Sequence, residues 1–334
     1  MPGRIVVTGG EGFIGRAVVN RLLERGWHVR VIDDLSKPES RQGDRSRTGE
    51  VEYIEQDLTD SGRTAALFEG FDACINLAAR IGGIGYFHRH PAEILAENNL
   101  IYSSTFNAAV RARMSRMLYV SSSMVFESAT RFPSREEDVA RIPPPRTAYG
   151  CSKLIGEWYC RAFWDQYRLP YTIVRPFNAY GIHESPGEEV GYAHVIPDLV
   201  KKILEGQHPL EILGDGQQTR CFTHVSDIAD GVVTALESEA AVNEDFNLSS
   251  PVETTVLELA EMLHRICDPG RPFQVVFVDG FEHDIRRRVP DVTKAKQVLG
   301  WEARWRLEDK LPEVVRWLET SMGGDPAGSV VADG

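Results

Sequence analysis

The 334-residue sequence contains no apolar run approaching the roughly 20 residues that a membrane-spanning helix requires, so a transmembrane protein is not expected. It also lacks a charged leader with an apolar stretch behind it. Met1-Pro2-Gly3-Arg4 passes at once into a short strand-like run, which points to a cytoplasmic protein. Cysteine is sparse: Cys74, Cys151, Cys160, Cys221 and Cys267 are odd in number and form no C-x-x-C pair, so neither a disulfide framework nor a metal site is expected. Positive charge is in deficit, with 37 Lys and Arg against 49 Asp and Glu. The net charge of −12 argues against nucleic acid or an anionic membrane as partner, and an anionic ligand would need a locally basic pocket. There is no internal repeat and no low-complexity block. With 42% hydrophobic and 26% charged residues, the chain has an ordinary globular composition and is long enough for two domains sharing one cleft.

Short apolar runs at Ile5 to Val7, Val29 to Ile32, Val51 to Ile54, Ala73 to Leu77, Met117 to Val120 and Tyr171 to Val174 read as buried strands. Helical patterns, among them Gly12 to Glu24, Asn98 to Arg113 and Tyr149 to Tyr167, separate most of them. Alternation of this kind predicts an α/β fold, a doubly wound parallel (Rossmann) sheet with helices on both faces. After Arg175 the rhythm weakens, and Gly181 to Gly191 reads as a loop over a cleft. The expected division is a nucleotide-binding domain over 1–178, with 222–240 packing back on it, and a smaller substrate domain over 179–322. The small residues of 323–334 are expected to form a disordered tail.

Gly9, Gly12 and Gly15 form G-x-x-G-x-x-G between the first strand and the first helix, with Phe13 and Ile14 inside the motif. Glycine lets the backbone approach a pyrophosphate where helix N–H groups and the helix dipole favour negative charge. The second strand ends in Val31-Ile32-Asp33-Asp34, which places a carboxylate where a ribose diol can donate to it. Asp33 would repel a 2′-phosphate, and no Arg follows it before Arg41, so NAD is preferred over NADP. Tyr149 and Lys153 stand four residues apart on one helix face, an arrangement in which the lysine lowers the phenol's pKa and prepares it as a general base. Ser121-Ser122-Ser123 lies at the carboxyl end of a strand, the side on which open sheets bind ligands.

The glycine motif, Asn76-Leu77-Ala78-Ala79, the serine run, Tyr149 to Lys153 and Arg175-Pro176-Phe177-Asn178-Ala179-Tyr180-Gly181 together resemble the extended short-chain dehydrogenase/reductases, and more narrowly their nucleotide-sugar epimerase/dehydratase family. The resemblance covers residues 3 to 320 and implies tightly held NAD that oxidises a sugar hydroxyl and usually takes part in returning the hydride. It selects Ser122 as the catalytic serine beside Tyr149 and Lys153. Phe126 and Glu127 stand where the family usually carries Tyr and Gly. It also implies that Asp57 and Leu58 flank the adenine, that Leu77, Ala78 and Ala79 line the dinucleotide, and that Asn99 supports the site.

On the substrate side the resemblance implies contacts from Ser123, Met124, Asn178 and His194, with Arg220 and Arg288 holding the diphosphate of a UDP-, GDP- or dTDP-sugar. Dehydratases of the family carry Asp-Glu after the catalytic residue and decarboxylases a Glu two residues after it, whereas this chain has Ser123 and Met124. Ile81-Gly82-Gly83-Ile84 and His194-Val195-Ile196-Pro197 are similar to GDP-fucose synthases and GDP-mannose 3,5-epimerases, which pair the histidine with a Cys at the Met124 position. The expected activity is inversion at position 4 of a hexose, with a GDP-sugar 3,5-epimerase or 4-ketosugar reductase/dehydratase as the alternative enzyme and a dinucleotide-binding regulator as the non-enzymatic one. Relatives commonly form homodimers through helices like Asn98 to Arg113 and Tyr149 to Tyr167.

Overall fold

Ile5 and Val7 point to one side of the first strand and Val6 to the other, and all three are fully buried, so both faces of the sheet they enter must be covered. In the computed structural model, which describes residues 3–37, 51–187, 193–280 and 285–322, that strand is β1 (Arg4–Thr8). It is followed by β2 (His28–Asp33), β3 (Val51–Glu55), β4 (Ala73–Asn76), β5 (Arg116–Val120) and β6 (Tyr171–Pro176). A seventh strand, Glu244–Leu248, pairs with β6, and the order across the sheet is Glu244–Leu248, β6, β5, β4, β1, β2, β3, every pair parallel. The chain reverses direction across the sheet between β1 and β4. Ligands of such sheets bind beyond the carboxyl ends of the strands at this switch point.

The seventh strand was not expected, because only Phe246 and Leu248 are apolar in it. Its polar residues are satisfied by specific partners: Asn247 Nδ2 donates to the carbonyls of Ser134 at 3.1 Å and Asp291 at 3.2 Å, and Asp245 pairs with Arg175 and Lys294 at 2.7 and 2.8 Å. The helix expected from Asn98 begins at Pro91, where the missing N–H costs nothing, and runs to Arg111. The helix expected from Tyr149 spans Ala148–Tyr167.

Each face of the sheet carries its own core. Ile5, Val7, Val31 and Ile75 pack with the helices Phe13–Glu24 and Val225–Glu237, and Val6, Ile32 and Cys74 pack with Pro91–Arg111 and Ala148–Tyr167. The Val225–Glu237 helix is held to the first helix by Arg21 with Asp230 and to the turn after it by Trp27 Nε1 on Glu237 at 3.0 Å. Ala295 and Trp301 enter the same core, and Gly231 makes room for the indole, since a Cβ there would lie 2.9 Å from it. A further core joins the helices Val195–Leu204, Val256–Cys267 and Leu307–Met322 to the parallel strands Leu210–Leu213 and Val275–Val278. Residues 323–334, expected as a tail, and 188–191 of the expected cleft loop lie outside the described residues. Among the described residues no helix is long and apolar enough to cross a membrane, and the five cysteines are free.

Candidate active site

The turn after β1 is built on two glycines that the fold itself demands. Gly9 has φ +68° and a Cβ there would lie 2.8 Å from the Ala78 nitrogen, while a Cβ on Gly15 would lie 2.2 Å from the Gly9 carbonyl. Gly12 is different. It caps the first helix in extended conformation, and its Cβ would meet only the Gly9 carbonyl, at 3.3 Å, so that face of the loop is kept low toward whatever approaches from outside. Phe13 and Ile14 open the helix, and Leu77–Ala79 run beside the turn, held by Ala78 N–H donating to Thr8 Oγ1 at 3.3 Å. Asp33, at the end of β2, accepts from Glu11 N–H at 3.0 Å and Leu35 N–H at 2.9 Å. Burial raises its pKa against those two bonds. Asp57 accepts from the N–H and hydroxyl of Thr59, and Leu58 is buried in the core with Ile32 and Phe68.

Ser122 follows β5 and caps a short turn, Ser123–Phe126, accepting from Met124 N–H at 3.2 Å. Tyr149 lies in the first turn of the Ala148–Tyr167 helix, which Thr147 caps through Gly150 N–H at 3.1 Å. The Ser122 hydroxyl lies close enough to the Tyr149 phenol to oppose the rise in its pKa, and the Tyr149 ring stacks on Phe87 with centroids 4.5 Å apart and planes 7° from parallel. Lys153 is buried, donates to the Val120 carbonyl at 2.9 Å and sits 5.9 Å from the Tyr149 ring centroid. One expectation is corrected here. Burial raises the Tyr149 pKa, and what opposes it is the nearby Ser122 hydroxyl and the Arg288 charge rather than Lys153. Lys153 is itself desolvated, and burial pulls its pKa down to about 7.

Ser122, Tyr149 and Phe87 line a cavity of about 280 Å³ that also takes in Asn178, Glu184, His194, Arg220 and Arg288. Arg220 and Arg288 are register partners on two parallel two-residue strands, which brings both guanidiniums to the same wall. Arg220 Nη1 donates to the carbonyls of Thr219 and Ile285 at 2.8 and 2.6 Å, and Arg288 reaches Asn178 Oδ1 at 3.5 Å and Met124 Sδ at 3.0 Å. Its neighbours are used elsewhere: Arg286 pairs with Asp215 and Arg287 with Glu253, each at 2.8 Å. His194 Nδ1 contacts Glu184 Oε1. The Glu184 carboxylate holds the His194 pKa above its ordinary value.

A glycine turn at the switch point, Ser122 and Tyr149 on one cavity with a lysine one turn on, and two arginines lining the same cavity form a set suited to a nucleotide-sugar ligand beside a dinucleotide. The sequence profile of the NAD dependent epimerase/dehydratase family matches residues 5–249. The chain belongs to this family. A UDP-N-acetyl-alpha-D-glucosaminuronate decarboxylase of Bacillus cytotoxicus is 32% identical over 95% of this chain and 98% of its own length. The UDP-glucose 4-epimerase of Thermotoga maritima, solved with UDP-glucose, superposes with a TM-score of 0.84 at 30% identity, covering 96% of this chain and 99% of that one. The UDP-glucuronic acid 4-epimerase of Bacillus cereus, solved with UDP-glucuronic acid and NAD, does so with 0.84 at 25% identity over 95% and 99%. The cofactor of this family member is NAD, and the glycine cradle fits it: the low face at Gly12, the helix N-terminus behind it and the Asp33 carboxylate are in place.

Other expectations for the epimerase/dehydratase site need correction or completion. Asn99 is exposed on the outer side of its helix, and its neighbour Asn98 is the buried one. Asn98 accepts from Arg80 N–H and donates to Arg80 O at 3.3 Å and Ser152 Oγ at 3.0 Å, tying the loop after β4 to the Tyr149 helix. One residue turns a side chain by about 100° on a helix, and two adjacent asparagines give no sequence signal of which faces inward. Glu184 and Phe87, which carry no sequence signal, also border the cavity, as does Glu127, which the sequence marks only as a departure from the family's usual glycine.

Proposed function

We propose that the chain is an NAD-dependent nucleotide-sugar 4-epimerase acting through a transient 4-keto sugar. The observation that carries this is that Ser122, Tyr149, Arg220 and Arg288 line one cavity, with Met124 and no carboxylate at position 124. NAD supplies the hydride acceptor and donor for carbon 4. Tyr149 takes the proton of the 4-hydroxyl, Ser122 hydrogen-bonds the same oxygen, and Lys153 holds the cofactor's ribose. Gly9, Gly12, Phe13, Ile14, Gly15, Asp33, Asp57, Leu58 and Leu77–Ala79 form the cofactor's binding surface. Arg220 and Arg288 hold the diphosphate with Asn178, while Ser123, Met124 and His194 face the sugar. Residues 179–322, less those that return to the first core, supply the sugar-nucleotide side. UDP is the first base to test, because the relatives above act on or bind UDP-sugars.

The relatives also include decarboxylases, but Met124 has no proton to exchange and stands where the sequence resemblance implies a Glu for a decarboxylase. A second reading, proton exchange at the carbons beside the ketone as in a 3,5-epimerase, is favoured by one observation: the Glu184–His194 contact places an acid/base pair in the cavity. A homodimer is proposed through the exposed Leu95, Leu100 and Trp158 on the outer faces of the Pro91–Arg111 and Ala148–Tyr167 helices. The test of the activity is incubation with UDP-, GDP- and dTDP-sugars, with epimers resolved by NMR and Tyr149→Phe run alongside. Tyr149→Phe should lose at least about 10²-fold in turnover and keep NAD. Full activity in that variant would move the base elsewhere.

A further inference from the structure

The Ser122 turn and the Tyr149 helix are distant in sequence, so something must fix the separation of the two hydroxyls. One carboxylate joins them. Glu127 closes the Ser123–Phe126 turn, its own N–H donating to the Met124 carbonyl at 3.1 Å. Its Oε2 accepts from the N–H groups of Arg146 and Thr147, each at 3.0 Å, and from the Thr147 hydroxyl at 2.9 Å. Thr147 is the cap of the helix that carries Tyr149, and its Oγ1 accepts from Gly150 N–H. The same oxygen of Glu127 therefore anchors both the last backbone groups before the helix and the side chain that caps it. A negative charge at a helix N-terminus also suits the helix dipole. The two segments are tightly apposed: a Cβ on Gly150 would lie 3.0 Å from the Met124 carbonyl. The family resembled by the sequence usually carries glycine at this position, and glycine has no side chain to make any of these three bonds.

We propose that Glu127 is a positioning residue, whose carboxylate sets the geometry between Ser122 and Tyr149. The proposal rests on the reading of those two residues as the catalytic pair. Glu127→Ala should lower kcat by about 10- to 100-fold, the cost of misplacing a reacting group by a fraction of an ångström to one ångström. KM and NAD affinity should stay within about twofold of wild type, since neither Arg220 and Arg288 nor the glycine turn is touched. Glu127→Gln keeps an acceptor oxygen in the same place and should restore kcat to within about threefold. In a Ser122→Ala background, Glu127→Ala should cost less than about threefold, because one of the two groups it positions is gone.

An unchanged kcat in Glu127→Ala overturns the proposal. So does an equal loss in Glu127→Gln, which would make the charge itself the active feature, or a loss of NAD affinity, which would show a general structural role. Multiplicative losses in the double variant overturn it as well. Tyr149→Phe, measured in parallel, separates the two levels. If it retains turnover, the reading of the catalytic pair has failed. If it is inactive while Glu127→Ala is normal, only the role of Glu127 has failed.

Discussion

Replacing Lys153 by methionine should make the cofactor-free chain more stable at neutral pH while abolishing turnover. The amine is 4% exposed, has the Val120 carbonyl as its hydrogen-bond acceptor, and burial pushes its pKa from 10.5 to about 7. Between those values the unfolded chain holds a proton that the folded chain does not, so wild-type stability rises with pH from about 7 to 10.5 and the burial penalty is fully felt below. At about 1.4 kcal/mol per pH unit, the penalty near pH 7 is roughly 4 kcal/mol. Losing the bond to Val120 gives back roughly 1 kcal/mol, which leaves a net gain of about 3 kcal/mol for a side chain of similar length. Urea unfolding of both proteins across this pH range measures it. The Lys153→Met midpoint should exceed wild type at neutral pH, and the gap should close toward pH 10.5. A midpoint at or below wild type at neutral pH would refute the argument that the amine is held at a cost to stability.

Asp33→Ala should erode the preference for NAD over NADP, read by titrating both cofactors, and it should also loosen the glycine turn because Glu11 N–H loses its acceptor. Equal affinity of the wild type for both cofactors would contradict the role given to this carboxylate. His224 is buried against Tyr180, and burial lowers its pKa to about 4 although Glu313 lies 3.4 Å away. Its folded pKa lies below the unfolded 6.5, so the unfolded chain gains a proton first as pH falls, and stability should drop by roughly 3 kcal/mol from pH 6.5 to 4. His224→Gln should remove that part of the acid slope in urea titrations; an unchanged slope would locate the acid sensitivity elsewhere.

The first six strands and the nucleotide turn were legible because they depend on local signals: short apolar runs, and glycines forced by close approach at Gly9 and Gly15. The Glu244–Leu248 strand was not, since its polar residues are balanced by partners far along the chain, Ser134, Asp291 and Lys294. Helix phase hid the inward asparagine, Asn98, behind its neighbour. The Tyr149–Lys153 spacing put both groups on one helix but said nothing of their electrostatics, because the lysine's pKa is set by burial, which spacing does not report. Contacts such as Glu184–His194 and Glu127–Thr147 join loops to helix ends and carry no periodic signature.

The central claim is that hydride moves within the site and no carbon-bound proton is exchanged with water. It is tested most directly by running the reaction to product in heavy water and locating deuterium by NMR and mass spectrometry. Simple 4-epimerisation through Tyr149 and Ser122 predicts an inverted position 4 with no solvent deuterium on the ring carbons. Deuterium at position 3 or 5 would contradict the account and make the Glu184–His194 pair an acid/base catalyst.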